Sequence, residues 1–260
     1  MPEALPRVSI VTPSFNHARF LEQTMRSVLE QDYPNIEYIV IDGGSQDGSR
    51  DLIEAYAPQL AYWQSQPDGG QTDAINQGFA RATGEILAWL NSDDYLLPGA
   101  VSRAVAALQA EPELGMVYGD CLLVNAEGKT IKRFPAAQTD YARLRRGYVH
   151  IPQQSSFWRA SLWEAVGPLD PSFYFAMDYD LWTRLARLAP LKYLPGEPWA
   201  AFRLHGDAKS LAQDDRCWPE MLRVHYRDGG KKLAALPAKY LLRKLLQPLL
   251  IARRRRQFKA

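Results

Sequence analysis

Glu85 to Tyr95 reads EILAWLNSDDY, an apolar run from Ile86 to Leu90 that breaks abruptly into Asn91, Ser92, Asp93 and Asp94. The run has the length and composition of a buried strand. Two adjacent carboxylates at its end repel each other unless they bind a cation, accept hydrogen bonds or face water. In an open α/β sheet the carboxyl end of a strand is also where ligands sit. The stretch therefore predicts a strand that holds a hard divalent cation at its tip, and the competing reading is a solvated loop in which one Asp caps the helix after Pro98.

Upstream of this strand the pattern is repetitive. Arg7 to Thr12 (RVSIVT) reads as a strand stopped by Pro13, and Asn16 to Gln31 carries Phe20, Leu21, Met25, Val28 and Leu29 at helical spacing. Ile36 to Ile41 reads as a second strand, followed by DGGSQDGS (Asp42 to Ser49) and a helix around Arg50 to Tyr56. A third strand at Leu60 to Gln64 precedes PDGG (Pro67 to Gly70) and a helix from Gln71 to about Arg81. Strands alternating with helices predict an α/β fold with a mostly parallel, Rossmann-like sheet and helices on both faces.

Downstream, Pro98 opens a helix through Leu108, Gly115 to Tyr118 starts a strand, and CLLVN and KTIKRF pair as a hairpin around Ala126, Glu127 and Gly128. The second half is a smaller, mixed region, and its strongest helix is Asp178 to Leu188 with Leu181, Leu185 and Leu188 on one face. The expected division is one catalytic-sized domain, residues 1–230, and a C-terminal tail, residues 231–260.

Composition narrows the function classes. The 260 residues are 47% hydrophobic, enough for a full core, and the two cysteines, Cys121 and Cys217, form no CxxC or Cys/His cluster. A reducing, cytoplasmic location is expected, since the N-terminal stretch lacks the pattern of a signal peptide and no apolar run is long enough to span a membrane. The net charge of +2 conceals an asymmetry: residues 231–260 hold ten Lys and Arg and no acid, while the first 230 residues carry 21 basic and 29 acidic side chains. A basic tail on an acidic body does not point to nucleic acid. From Lys239 to Arg256 apolar residues alternate with Arg243, Lys244 and Arg253 to Arg256, a pattern that lies on an anionic membrane surface or docks on the body.

Several residues are candidates for chemistry, each with a structural alternative. Asp42 ends a predicted strand and its glycine-rich loop brings backbone close to a ligand, or is simply an Asp-Gly turn with Asp47 or Ser49 capping the next helix. Asp178 and Asp180 open a helix, where carboxylates favour the dipole or serve as a general base. His205, in FRLHGDAKS, is a buried structural histidine or a ligand beside a metal and a diphosphate. Gln153, Gln154, Phe157 and Trp158 in IPQQSSFW are candidates for the acceptor side or for the core. Neither GxGxxG nor GxxxxGK[ST] occurs, so a dinucleotide fingerprint and a P-loop are unavailable.

Five stretches, taken in order, resemble the family 2 glycosyltransferases, inverting enzymes with the GT-A fold: VSIVTPSFN (Val8 to Asn16), IVIDGGSQDGS (Ile39 to Ser49), GQTDAINQGFARATGEILAWLNSDD (Gly70 to Asp94), MDYDLW (Met177 to Trp182) and RLHGDAKS (Arg203 to Ser210). The resemblance implies that Thr12, Pro13 and Asp42 line the base pocket, that Gln71 and Asn76 lie near the diphosphate and donor sugar, and that Asn91, Ser92 and Asp93 form the DxD-like signature. Asp93 would be the metal ligand with His205, for Mn²⁺ or Mg²⁺, and Asp178 the catalytic base. This chain has Asn91 where Asp is commoner, Ile75 where many members have Arg, and Met177 where the ED motif has Glu.

The implied reaction is inverting, metal-dependent transfer of one sugar from a nucleotide diphosphate sugar to a hydroxyl of a saccharide or lipid-linked acceptor, in polysaccharide or glycolipid assembly. Absence of QxxRW favours single transfer over polymerisation. Two rivals are a sugar-phosphate nucleotidyltransferase, whose Gly-rich N-terminal loop PSFNHARF does not match, and a non-catalytic carbohydrate-binding protein on the same fold.

Overall fold

A computed structural model describes residues 5–206 and 217–244. The elements run β1 (Val8–Ser14), α1 (Ala18–Leu29), β2 (Ile36–Asp42), α2 (Ser49–Tyr56), β3 (Tyr62–Ser65), α3 (Gln71–Phe79), β4 (Ile86–Trp89), β5 (Tyr95–Leu96) and α4 (Ala100–Ala110). They continue with β6 (Met116–Gly119), β7 (Cys121–Val124), β8 (Thr130–Arg133), α5 (Tyr141–Leu144), β9 (Ser156–Arg159), α6 (Ala160–Val166), α7 (Met177–Leu185), β10 (Leu191–Leu194), β11 (Ala200–Arg203) and α8 (Cys217–Arg227).

The main sheet has seven strands in the order β10-β6-β9-β4-β1-β2-β3. Only β9 runs against its neighbours. A second sheet, β5-β11-β7-β8, contains the expected hairpin β7–β8. Strand alternation assigns the two faces of the main sheet. Val11, Ile39, Ile41, Leu87 and Trp89 pack with Ile75 and Phe79 of α3 and Leu181 and Trp182 of α7. Val8, Ile10, Val40, Ile86 and Ala88 pack with Leu21, Met25 and Val28 of α1 and Val101 and Val105 of α4. Every residue of β1 is buried, as a strand covered on both faces must be.

Helix α3 lies close against β1 because of Gly78: a Cβ there would stand 2.4 Å from Val11 Cγ1. Under the cleft, the indole of Trp89 stacks on Trp182 at 5.7 Å and meets Trp158 edge-on at 5.6 Å.

Helix α7 ends sooner than its apolar spacing implies. It stops at Leu185, and Leu188 is 55% exposed, so that residue is not part of the buried face. Beyond α8, residues 235–244 are helical, and Leu236 is fully buried where Gly147 makes room for it. No helix among the described residues is long and apolar enough to cross a membrane. Residues 207–210 of the RLHGDAKS stretch, and residues 245–260 of the tail with Pro248 and Arg253 to Arg256, lie outside the described residues.

Candidate active site

The carboxyl ends of β1, β2 and β4 open into one cleft of about 1070 Å³. Its lining includes Pro13, His17, Gly43, Gly44, Asp68, Gly70, Gln71, Asn91, Ser92, Asp93, Gln153, Gln154 and Asp178. Such a cleft at strand ends is of the size and place for a small-molecule site in an α/β sheet.

The loop after β4 is held from three sides. Thr24 Oγ1 of α1 donates to the carbonyls of Ser92 (3.0 Å) and Asp94 (2.6 Å). Arg203 Nε donates to the Asp93 carbonyl at 2.9 Å, and the Arg203 backbone N–H to Asp94 Oδ1 at 2.9 Å. Gln154 Nε2 donates to Asp94 Oδ2 at 2.9 Å. The two adjacent carboxylates thus have different environments. Asp94 is fully buried and serves the second sheet; burial, then the charge of Asp93, pushes its carboxyl well above the usual range. Asp93 lines the cleft and its Oδ2 stands 3.0 Å from His205 Nε2.

His205 is buried, with its ring 4.7 Å from that of Phe20. His17 enters from the start of α1, its Nδ1 2.7 Å from Ser92 Oγ. One ligand atom from each of His17, Asp93 and His205 lies within 4.8 Å of the others, a set that suits one small divalent cation with nitrogen and oxygen ligands. His17 sits 76 and 188 positions before its two neighbours, and no local spacing signals it; its only sequence cue is being one of four histidines, next to the first strand-end loop.

Asn91 takes the place of a carboxylate with a different hydrogen-bonding role. Its Oδ1 accepts from Gln71 Nε2 (2.8 Å), while its Nδ2 faces Asp94 Oδ2 (3.3 Å) and Gln153 Oε1 (3.2 Å). It ties the first residue of α3 to the loop that carries Asp93.

Asp178 also lines the cleft, from the first turn of α7, with Oδ1 accepting from the Tyr179 N–H. Met177 beside it is buried and takes a hydrogen bond from Thr72 Oγ1 at its sulfur, which joins α3 to α7 where Glu would be commoner. Glu220 of α8 accepts the N–H groups of Tyr174 (3.0 Å), Phe175 (2.8 Å) and Ala176 (2.8 Å), and so fixes the segment that leads into α7. Asp180 is no alternative base: it is buried and paired with Arg184 and Arg227.

Three placements implied by the resemblance change. Thr12 is fully buried and its hydroxyl faces Tyr38 Oη at 3.0 Å, so Pro13 reaches the cleft and Thr12 does not. Asp42 is fully buried, and its carboxylate takes Gly44 N–H, Ser45 N–H, Ser45 Oγ and Ser65 Oγ. Three of these donors meet Oδ2 and one, Ser45 Oγ, meets Oδ1, which is the Asp-Gly turn reading of that loop. Asp68 on the adjacent loop lines the cleft instead, beside Gly43. Asn76 exchanges two hydrogen bonds with the Leu169 backbone at 2.9 Å each and is turned away from the cleft. In IPQQSSFW, Phe157 and Trp158 are fully buried core residues, and Gln153 and Gln154 alone reach the cleft.

Solved structures share this fold. Residues 1–349 of S. aureus TarS in complex with UDP-GlcNAc superpose with a TM-score of 0.69 at 16% identity, over 90% of this chain and 71% of that one. The mannosyltransferase PcManGT from Pyrobaculum calidifontis, in complex with GDP-Man and Mn²⁺, gives 0.67 at 22% identity over 93% and 71%. The arrangement is the GT-A fold of glycosyltransferases. Curated relatives include an uncharacterized glycosyltransferase of Mycobacterium tuberculosis, 38% identical over 186 residues, 70% of this chain and 69% of the relative. Another, from Nostoc sp., is 31% identical over 217 residues, 77% of this chain and 65% of the relative. The family model described as glycosyl transferase family 2 matches residues 9–164. The chain belongs to glycosyl transferase family 2 and is a glycosyltransferase.

Proposed function

We propose that the chain transfers a single sugar from a nucleotide diphosphate sugar to an acceptor hydroxyl with inversion, using Mn²⁺ or Mg²⁺ at Asp93 and His205. The observation that carries this reading is that Asp93, paired with His205, and Asp178 line the same strand-end cleft. The acceptor oxygen bonds to the anomeric carbon as the bond to the diphosphate breaks, and the acceptor proton passes to the Asp178 carboxylate. A bound divalent cation offsets the negative charge that grows on the leaving oxygen. Gly70 and Gln71 bring the N-terminus of α3 to the cleft, where backbone N–H groups and the helix dipole favour a diphosphate.

Asp68 takes the base-contacting role in place of Asp42. Its Oδ1 accepts the Gly70 N–H at 2.7 Å, and burial, with Asp73 and Asp42 adding to it, holds its carboxyl above the usual range. The acceptor is a saccharide or a lipid-linked saccharide in polysaccharide or glycolipid assembly. The basic C-terminal stretch brings the enzyme to the cytoplasmic face of an anionic membrane.

Calorimetric titration with UDP, GDP and dTDP, with and without Mn²⁺, tests the donor site. Metal-dependent binding of one of them is expected and names the base. No binding of any of the three under either condition would overturn the reading.

A further inference from the structure

We infer that His17 is a third protein ligand, which makes the cation site a two-histidine, one-carboxylate centre. Such a centre binds Mn²⁺ and related transition ions without nucleotide and discriminates against Mg²⁺. This deepens the metal reading of Asp93 and His205 and depends on it; what it adds is the residue and the selectivity.

Position 17 is the N-cap of α1, where Ser, Thr, Asp or Asn would ordinarily bond the first free amides. His17 makes no such bond. The Ala18 N–H goes to Asp47 Oδ2 at 2.8 Å and the Phe20 N–H to the His17 carbonyl at 2.9 Å, so the imidazole is not used as a cap. Its ring is turned across to the loop after β4 and meets the His205 ring edge-on at 6.0 Å.

A neutral His17 that donates its Nδ1–H to Ser92 Oγ presents the Nε2 lone pair. That is the usual way a hydrogen-bonding partner orients a ligating imidazole. Ser92 is itself buried and anchored by Thr24, which makes the orientation a built one. Each imidazole raises affinity for transition ions, whereas Mg²⁺ prefers an all-oxygen octahedral shell that keeps several waters. Two imidazoles beside one carboxylate therefore favour Mn²⁺ over Mg²⁺ at equal concentration.

The test is electron paramagnetic resonance of Mn²⁺ added to the full-length protein without nucleotide, with spin-echo modulation to count ligating imidazole nitrogens. Two are expected in the wild type, and a hundredfold excess of Mg²⁺ is expected to leave the bound Mn²⁺ in place. His17→Gln should keep one imidazole and weaken Mn²⁺ binding on the order of tenfold or more. A single imidazole in the wild type overturns the inference even if His17→Gln fails to fold. Unchanged Mn²⁺ affinity in His17→Gln, with binding abolished in Asp93→Asn, also overturns it and leaves the two-ligand site standing. Absence of Mn²⁺ binding to the wild type, with or without UDP or GDP, defeats both readings.

Discussion

Asn91 Nδ2 lies between two acceptors, 3.3 Å from the buried Asp94 carboxylate and 3.2 Å from Gln153 Oε1. The commoner Asp at this position would set a second carboxylate against Asp94 and leave Gln153 Oε1 facing an acceptor. Asn91→Asp is therefore expected to lower stability by about 1–3 kcal/mol, as for a buried acceptor left unpaired. Thermal denaturation reads it. In the double variant Asn91→Asp/Asp94→Asn the donor and acceptor exchange places, and a partial return of the melting temperature is expected. Equal or greater loss in the double variant would reject this account of Asn91.

Asp94 also makes a pH prediction. Burial and the neighbouring Asp93 raise its carboxyl above its unfolded value, so over that interval the folded chain holds a proton that the unfolded chain has released. Its contribution to stability is then fullest below the ordinary carboxylate range and is lost as pH rises through the folded value. Asp94→Asn removes this dependence. Urea midpoints from pH 4 to 8 should show the variant gaining on the wild type as pH rises, by at most about 1.4 kcal/mol per pH unit. A constant difference across that range would contradict the assignment.

Sequence pattern made the N-terminal half of the chain legible because each of its elements is periodic by itself. The existence of β1 and the stripe Phe20, Leu21, Met25, Val28 follow from local spacing, although the strand runs through Pro13 to Ser14 where the spacing stops it. The strand-end position of Asp93 follows from the break after Leu90, and its pairing with His205 from family resemblance. What local pattern does not carry is the direction of a side chain at a strand end. Asp42 and Asp68 occupy neighbouring loops, and only the bonds from Ser45 and Ser65 decide which carboxylate is already used. Asn76 and Asn91 are both amides that follow apolar residues, and distant partners, Leu169 and Gln71, turn one away from the cleft and the other into its wall. His17 was hidden for the same reason, since its neighbours come from the other ends of the chain.

The base assignment predicts a kinetic split. Asp178→Asn should lower turnover by about 10²- to 10⁴-fold, the usual contribution of a positioned general base, with nucleoside diphosphate affinity nearly unchanged. Asp180→Asn disturbs instead the ion pairs with Arg184 and Arg227, so its effect should appear in the melting temperature. Comparable loss of nucleotide binding in Asp178→Asn, measured by calorimetry, would remove Asp178 from the base role.

Glu220 fixes, from outside the cleft, the segment that leads into α7. Its carboxylate takes three successive N–H groups before α7, and Tyr174 and Phe175 in that segment line the cleft. Glu220→Ala leaves those donors without a carboxylate partner and should cost about 1–3 kcal/mol of stability. On the proposed reading, the acceptor KM is expected to rise several-fold while donor affinity holds, because the residues proposed for the donor lie on the loops after β1, β2 and β4 and not on this segment. Glu220→Gln keeps an acceptor oxygen and should behave between the two. A change confined to donor affinity would reject the positioning role.

The basic tail can be tested without damaging the body. Leu236 is fully buried over Gly147 and His225 Nε2 lies 3.2 Å from the Lys231 carbonyl, so cutting after Gly230 would expose core. Deletion of residues 245–260 spares those contacts and removes five of the ten basic residues, together with Leu245, Leu246, Leu249, Leu250 and Ile251. Each basic residue near an anionic surface contributes about 1 kcal/mol, and the attraction is screened within a Debye length. Full-length protein should therefore sediment with vesicles that contain anionic lipid, less so as salt rises, and the deletion variant should stay in the supernatant with its nucleotide affinity intact. Equal sedimentation of the two proteins would place any membrane contact elsewhere on the molecule.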